Sequence, residues 1–164
     1  MTGVQTCALP ICKVVSAANV RAEATGAPAA AIELSDGTIV TGKTSDLLGA
    51  SAALILNALK VLAGLDADMH LISPDALDPI RTLKVKYLGG HNPRLHTDEV
   101  LIALCVSALT NPIAAKAQEQ IPNLRGCDAH FTVILSDVDE NLYKRLGVNV
   151  SFEPRYETQR LYHK

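Results

Sequence analysis

Short apolar runs typical of strands alternate with amphipathic segments typical of helices along most of this chain, and this alternation limits the fold to the mixed α/β class. Residues 14–25 show a helical pattern that stops at a glycine, and two strand-like runs follow it, 29–34 and 38–41. The Asp36-Gly37 pair between those runs favours a β-hairpin, because both residue types accept the tight turn that joins paired strands. We therefore expect an α/β sandwich whose mixed sheet includes one β-hairpin.

Further helices and strands are expected to alternate after the hairpin. Ser45 or Thr44 can cap the first of these helices and Thr97 the third, because hydroxyl side chains accept hydrogen bonds from free backbone N–H groups. Residues 100–109 carry no charge, so we expect the third helix to be buried on most sides. The expected helices span 45–63, 73–87, 97–109, 112–120 and 137–146, and the expected strands span 69–72, 130–135 and 148–152.

Composition narrows the class of protein and of partner. The 164 residues are 48% hydrophobic and 20% charged, which suits one globular domain with a sizeable core. A formal net charge of −2 without clustered Lys and Arg gives no reason to expect a nucleic-acid partner. The longest uncharged apolar stretch, 47–59, is shorter than the about 20 residues that cross a membrane. The four cysteines show no disulfide pattern, so we expect a reduced, cytoplasmic protein and no membrane partner.

The first residues have the character of a technical addition. Residues 1–11, MTGVQTCALPI, lack a helical or strand period and resemble the translation of a sequencing adapter. We expect residues 1–12 to be an artefactual, disordered leader, 13–152 an α/β subdomain and 153–164 a C-terminal extension. On this interpretation coding sequence continues upstream of the leader, and the missing N-terminal part of the parent protein is the first partner of this chain.

A nucleotide-binding motif can be read in residues 37–44, GTIVTGKT. It fits the pattern G-x-x-x-x-G-K-[ST], which in P-loops wraps backbone N–H groups around phosphates. The residues between the two glycines are mostly β-branched and favour an extended strand, and Gly37 already belongs to the expected hairpin turn. We therefore interpret the motif as a strand. Lys43 and Thr44 stay candidates for anion binding, because they precede the start of an expected helix.

A polar loop supplies the other candidate binding residues. His91, Asn92, Arg94 and His96 precede the helix that starts near Thr97, and Arg can clamp an anion with two hydrogen bonds. We expect the two histidines and Arg94 to lie close together at the mouth of a pocket, with Lys43 opposite. The alternative is that the loop merely leads into a helix start. The absence of an H-E-x-x-H pattern argues against a metal site, and no catalytic residue or cofactor follows from the sequence.

Several separated blocks carry a resemblance to a known family. They are VTGKTSDLLGASAALILNALK, NPRLHTDEVLIAL, TNPIA, LRGCDAH, TVILSDVDE and the ending LYHK. Together they resemble the C-terminal region of the bacterial family called domain of unknown function 1846. The resemblance implies a three-layer α/β sandwich at the end of a much longer protein. It implies no established activity, although some members have been labelled ATP-dependent peptidases.

Three functions are compatible with these observations. In the first, the biochemical activity is unknown and the subdomain contributes to a site for a small anionic ligand. The alternative is a structural or oligomerisation domain, for example in a homo-oligomer, because the helices 45–63 and 97–109 are heavily apolar. A nucleotide-dependent hydrolase or peptidase is the least favoured. A clustered polar pocket supports the first function, and a large exposed apolar face supports the second.

Overall fold

The sheet has four strands and is mixed, as expected. The computed structural model describes residues 10–156, with side chains from residue 13. In the order β2-β1-β3-β4, β1 pairs antiparallel with β2 and with β3, whereas β3 pairs parallel with β4. The strands are β1 (Ala29–Glu33), β2 (Ile39–Lys43), β3 (Asp128–Phe131) and β4 (Asn149–Phe152).

Helices surround this sheet and account for most of the regular structure in the described residues. A π-helical segment, Leu83–Tyr87, follows the third helix, and a short 3-10 helix, Ile121–Leu124, follows the fifth. Of residues 10–156, none lies in a helix long and apolar enough to span a membrane. The α-helices are α1 (Pro10–Thr25), α2 (Ala50–Leu62), α3 (Pro74–Thr82), α4 (Thr97–Ser107), α5 (Pro112–Gln118) and α6 (Asp137–Arg145).

Strand β1 shows how the layers are divided. Ala30 and Ile32 belong to the main hydrophobic core, whereas Ala31 packs with Val14 and Ala18 of α1 in a second, smaller cluster. Side chains alternate between the two faces of a strand, so α1 covers one face of the sheet. Helix α2 packs on the other face, against β1 and β2, and is joined there by α4 and α5. The three-layer α/β sandwich is thereby confirmed.

The predicted hairpin turn is also confirmed. The Leu34 N–H donates to the Thr38 carbonyl and the Gly37 N–H donates to the Leu34 carbonyl, both at 2.9 Å. Gly37 has a φ of +88°, a conformation that a residue without Cβ adopts readily. The Asp36 carboxylate accepts a further bond from the Thr38 N–H at 2.9 Å. These bonds fix the register between β1 and β2.

Two predicted helix starts were wrong. Helix α2 begins at Ala50 with Gly49 as N-cap, not at Ser45 or Thr44. The chain before it instead forms an isolated parallel bridge between Leu48 and Leu95. The N-cap of α4 is His96, one residue before the predicted Thr97.

Two predicted strands were also wrong in extent. Residues 69–72 form an irregular segment with a bend, not a strand, and Leu71 and Ile72 are apolar because they pack into the main core. The strand predicted over 130–135 ends at Phe131. Its partner β1 begins at Ala29, so pairing stops there and the following residues turn away from the sheet.

Helix α4 is less buried than its uncharged sequence predicted. Ile102 and Val106 are 63% and 62% exposed, and Leu109 just beyond the helix is 82% exposed. The opposite side of the helix, with Val100 and Leu104, is fully buried. The helix is apolar on both sides but covered on one.

The predicted leader, 1–12, and the predicted C-terminal extension, 153–164, lie only partly within the described residues. Helix α1 begins at Pro10, so residues 10–12 of the expected leader have helical backbone. Residues 1–9 and 157–164 lie outside the described residues. The division into leader, subdomain and C-terminal extension therefore stays a prediction.

Candidate functional site

A cavity of about 80 Å³ lies where β3 ends and the N-terminal ends of three helices meet. Gly49 and Ala50 begin α2, His96 caps α4 and Ser136 caps α6, and all four line the cavity. A buried water needs about 10–15 Å³ on this scale. The cavity therefore has room for a few waters or for one small anionic group.

Four of the six predicted binding residues line this cavity: Thr44, Asn92, Arg94 and His96. The other two do not. His91 is exposed in its loop and is not part of the lining.

Lys43 does not lie opposite the loop, contrary to our expectation. Its neighbour Gly42 faces α2, where the glycine backbone approaches Leu54. Successive side chains of a strand alternate, so Lys43 points to the face that carries α1. A ligand role for Lys43 and His91 stays a prediction, but neither residue lines the cavity that the other four share.

The polar loop is held in place by contacts within the protein. The Asn92 carboxamide oxygen accepts from the Arg94 N–H at 3.0 Å, and the Lys84 ammonium donates to the Arg94 carbonyl at 2.6 Å. The Arg94 side chain donates from Nε to the Ser45 carbonyl at 2.8 Å. This bond joins the polar loop to the segment before α2, and it holds the Arg94 side chain at the cavity wall.

Asp139 is the residue at this site that sequence reasoning missed. Its carboxylate accepts from the Thr97 N–H at the start of α4 and from the Ser51 hydroxyl in α2, both at 2.9 Å. The His96 Nδ1 lies 3.6 Å from the same carboxylate. Asp139 is only 6% exposed. One buried side chain of α6 therefore ties the starts of three helices together.

The pKa values of this pair shift in the directions that favour an ion pair. Burial raises the pKa of the Asp139 carboxyl, but the imidazole of His96 and hydrogen bonds from Thr97 and Ser51 outweigh it, so the pKa lies below its usual value. The carboxylate raises the pKa of His96 above its usual value, although burial acts against this. His96 is therefore protonated to a higher pH than a free histidine.

Replacing His96 by glutamine is expected to destabilise the protein more at about pH 5.5 than at about pH 8. Because the His96 pKa is raised on folding, its contribution is full below the unfolded-state pKa of 6.5 and is lost as pH rises through the folded-state pKa. The stabilisation from the Asp139 carboxylate is present above its unfolded-state pKa of 3.8, and it is lost only as the pH falls below that value. Urea denaturation at both pH values measures the difference. His91→Gln, at an exposed histidine, is the control, and an equal loss for His96→Gln at both pH values would contradict the pairing.

The start of α2 differs from those of α4 and α6. No side chain caps it and its first turn holds no acidic residue. Helices α4 and α6 each carry acidic residues in the first turn and have carboxylate or hydroxyl partners there. Thr44 lines the same cavity as the start of α2 and is 5% exposed. Its hydroxyl has no hydrogen-bond partner within the described part of the chain. Both features leave hydrogen-bond donors at the cavity.

The motif GTIVTGKT forms a strand and not a phosphate-binding loop. Gly37 lies in the hairpin turn, and residues 39–43 pair with β1 along their length. A Cβ at Gly42 would lie 2.5 Å from the Leu54 backbone nitrogen, so packing against α2 explains this glycine. The structure thus removes the sequence basis for a nucleotide site in this motif.

Comparison with known proteins identifies the family. The family model for the C-terminal part of domain of unknown function DUF1846 matches residues 11–162. A UPF0371 protein of Corynebacterium urealyticum is 60% identical over 152 residues, which cover 93% of this chain and 31% of that protein. A UPF0371 protein of Streptococcus pyogenes serotype M5 is 51% identical over 151 residues, which cover 92% of this chain and 31% of the relative. This chain spans about a third of the length of these bacterial relatives, whose descriptions name no activity. The chain belongs to the DUF1846 family and corresponds to its C-terminal domain.

Proposed function

We propose that this domain binds a small anionic ligand, such as a phosphorylated or carboxylated metabolite, in the cavity at the start of α2. The N-terminal end of a helix carries a partial positive charge and free N–H groups, which favour an anion. The Arg94 side chain adds a full positive charge at the same cavity. The domain would contribute this site to a larger protein, whose overall activity is unknown.

Two carboxylates near the cavity, Asp139 and Glu99, are engaged by groups of the domain itself. Asp139 faces His96 and accepts hydrogen bonds from Thr97 and Ser51. Glu99 pairs with Lys84 at 2.9 Å and accepts from the His96 N–H at 2.8 Å. The start of α2, which no side chain caps, therefore faces the cavity without an acidic residue in its first turn.

The observation that carries the proposal is the unpartnered Thr44 hydroxyl. Buried polar groups are almost always hydrogen-bonded, and an orphan group points to an unseen partner. A ligand oxygen in the cavity would accept from this hydroxyl. Phe131, Val133 and Leu135 form an apolar wall of the same cavity, which suits the carbon part of a metabolite.

Arg94→Ala should weaken the binding of inorganic phosphate by about 1.5 kcal/mol or more, roughly tenfold, because a charge-assisted hydrogen bond is lost. Thr44→Val, which removes the hydroxyl and keeps the shape, should weaken binding in the same direction. Isothermal titration with phosphate, sulfate and acetate measures the dissociation constants.

Two substitutions serve as controls for that titration. Lys43→Ala changes a lysine on the other face of the sheet, and Arg21→Ala changes an exposed arginine of α1. Neither should alter binding. If no anion binds the unsubstituted chain, or if Lys43→Ala weakens binding as much as Arg94→Ala, the cavity is not the anion site.

A structural or assembly role is the second candidate function, and the exposed apolar side of α4 favours it. This role is compatible with ligand binding, because the cavity and that side of the helix are separate surfaces.

A cytoplasmic location is part of the same proposal. Cys105 and Cys127 are free thiols, as expected in a reducing compartment.

A further inference from the structure

Exposed apolar side chains are concentrated in one part of the molecule. Of the eleven large hydrophobic residues that are exposed in the described range, seven lie between residues 83 and 109. The other four, Val20, Val61, Val138 and Tyr156, are scattered over separate elements, as is ordinary for a protein surface. The concentration therefore sets residues 83–109 apart from the rest of the surface.

Within this region the exposed residues of α4 form a regular pattern. Ile102, Cys105, Val106 and Leu109 follow one another at intervals of three, one and three residues, and all four are exposed. This spacing places the first three on one side of α4, and Leu109 lies two residues beyond the end of that helix. We call these four residues the α4 stripe. Three of them are more than 60% exposed, at 63%, 62% and 82%.

The π-helical segment carries a second group of exposed apolar residues. Tyr87 is 69% exposed and Leu88 just after it is 72% exposed. The salt bridge between Lys84 and Glu99, at 2.9 Å, fastens this segment to the first turn of α4. A concentration of exposed apolar side chains of this kind points to an interaction site.

We propose that the α4 stripe is covered by the part of the parent protein that precedes this domain. The chain corresponds to a C-terminal domain and spans 31% of the relatives from C. urealyticum and S. pyogenes, so about two thirds of each relative lies outside it. That part is tethered to the domain, and tethering raises its effective concentration far above that of a second copy. It is therefore the favoured occupant of an apolar helix side.

The α4 stripe is separate from the cavity, which His96 lines at the start of the same helix. Ile102 lies six residues after His96, which is about 9 Å along the helix axis. The docking itself does not depend on anion binding.

The exposed thiol of Cys105 makes the proposal measurable. We would compare its labelling by N-ethylmaleimide in this chain and in a chimaera in which residues 13–164 replace the matching third of the C. urealyticum relative. Peptide mass spectrometry separates Cys105 from the other cysteines. We expect labelling about tenfold slower or more in the chimaera, because the thiol becomes accessible only when the interface opens.

Two internal standards accompany the labelling. Val20→Cys introduces a thiol on α1 at a site 62% exposed, matched to Val106, and should be labelled equally fast in both proteins. The buried Cys127 should stay protected in both and reports that the domain is folded. Equal labelling of Cys105 in the two proteins, with Cys127 protected in both, would overturn the proposal.

A second measurement does not depend on the chimaera. Light scattering during size-exclusion chromatography gives the oligomeric state of this chain, with Ile102→Asp/Val106→Asp as the test variant and Val20→Asp as its control. A monomer at all concentrations supports an occupant from the parent protein. A dimer that the double variant dissociates and the control does not would show that a second copy covers the stripe, and would overturn the proposal.

Discussion

Asp139→Ala is expected to lower the free energy of unfolding by about 3–5 kcal/mol, the usual loss when one partner of a buried ion pair is removed. The change leaves the Thr97 N–H, the Ser51 hydroxyl and the His96 imidazole without their common acceptor. Domains are typically stable by only about 5–15 kcal/mol. The loss is therefore a large fraction of the total, and urea denaturation monitored by circular dichroism measures it.

The control for this change is Asp137→Ala, two residues earlier in the same helix. Asp137 is exposed in the first turn of α6, where a carboxylate contributes about 1 kcal/mol or less. If both substitutions cost the same, Asp139 acts as an ordinary acidic residue of a helix start. The three helix starts would then be held together by other contacts.

Gly42→Ala is expected to cost about 3 kcal/mol, the upper end of the usual range for overpacking a core. The added Cβ would lie 2.5 Å from the nitrogen and 2.7 Å from the Cα of Leu54. These are backbone atoms of α2, which cannot move aside as the end of a flexible side chain can. Relief therefore requires the whole helix to shift away from β2, and thermal or urea unfolding reports the cost.

Gly49→Ala provides the comparison, because its Cβ would meet nothing closer than the Leu95 carbonyl at 3.9 Å. Gly49 caps α2 with ordinary extended backbone, φ −70° and ψ 164°. Exchanging a favourable N-cap residue for alanine should cost less than about 1 kcal/mol. If Gly42→Ala leaves the free energy of unfolding unchanged, close packing against α2 does not explain this glycine. Phosphate binding by the motif would then need a new test.

Local chemistry was readable in this sequence where neighbouring residues alone decide the structure. The Asp36-Gly37 turn and the helix starts near Ser73 and at Asp137 depend on residues a few positions apart, and they were predicted correctly. The end of β3 was misplaced because it depends on where β1 begins, a hundred residues earlier. The pattern of HFTVIL contains no information about that partner.

The candidate site shows the same division. The loop with Asn92, Arg94 and His96 stood out because polar residues gather ahead of a helix, and the structure places these three at the cavity. Asp139 was hidden, since it lies 42 residues from Thr97 and 88 from Ser51 and looks like any acidic residue of a first turn. Lys43 was expected opposite the loop because it belongs to a sequence that matches a phosphate-binding motif, but that sequence forms a strand. Only the alternation of side chains across β2 shows which way it points.

Because the cavity walls come from segments far apart in sequence, they meet only when the domain is folded. An unfolded chain would present no comparable site, so any ligand of the cavity must shift the folding equilibrium. A ligand at about 100 times its dissociation constant adds about 2.7 kcal/mol to the free energy of unfolding. For a chain of this size that corresponds to a rise of roughly 5–10 °C in the melting temperature. A library of metabolites can therefore be ranked by melting temperature alone, before the activity of the parent protein is known.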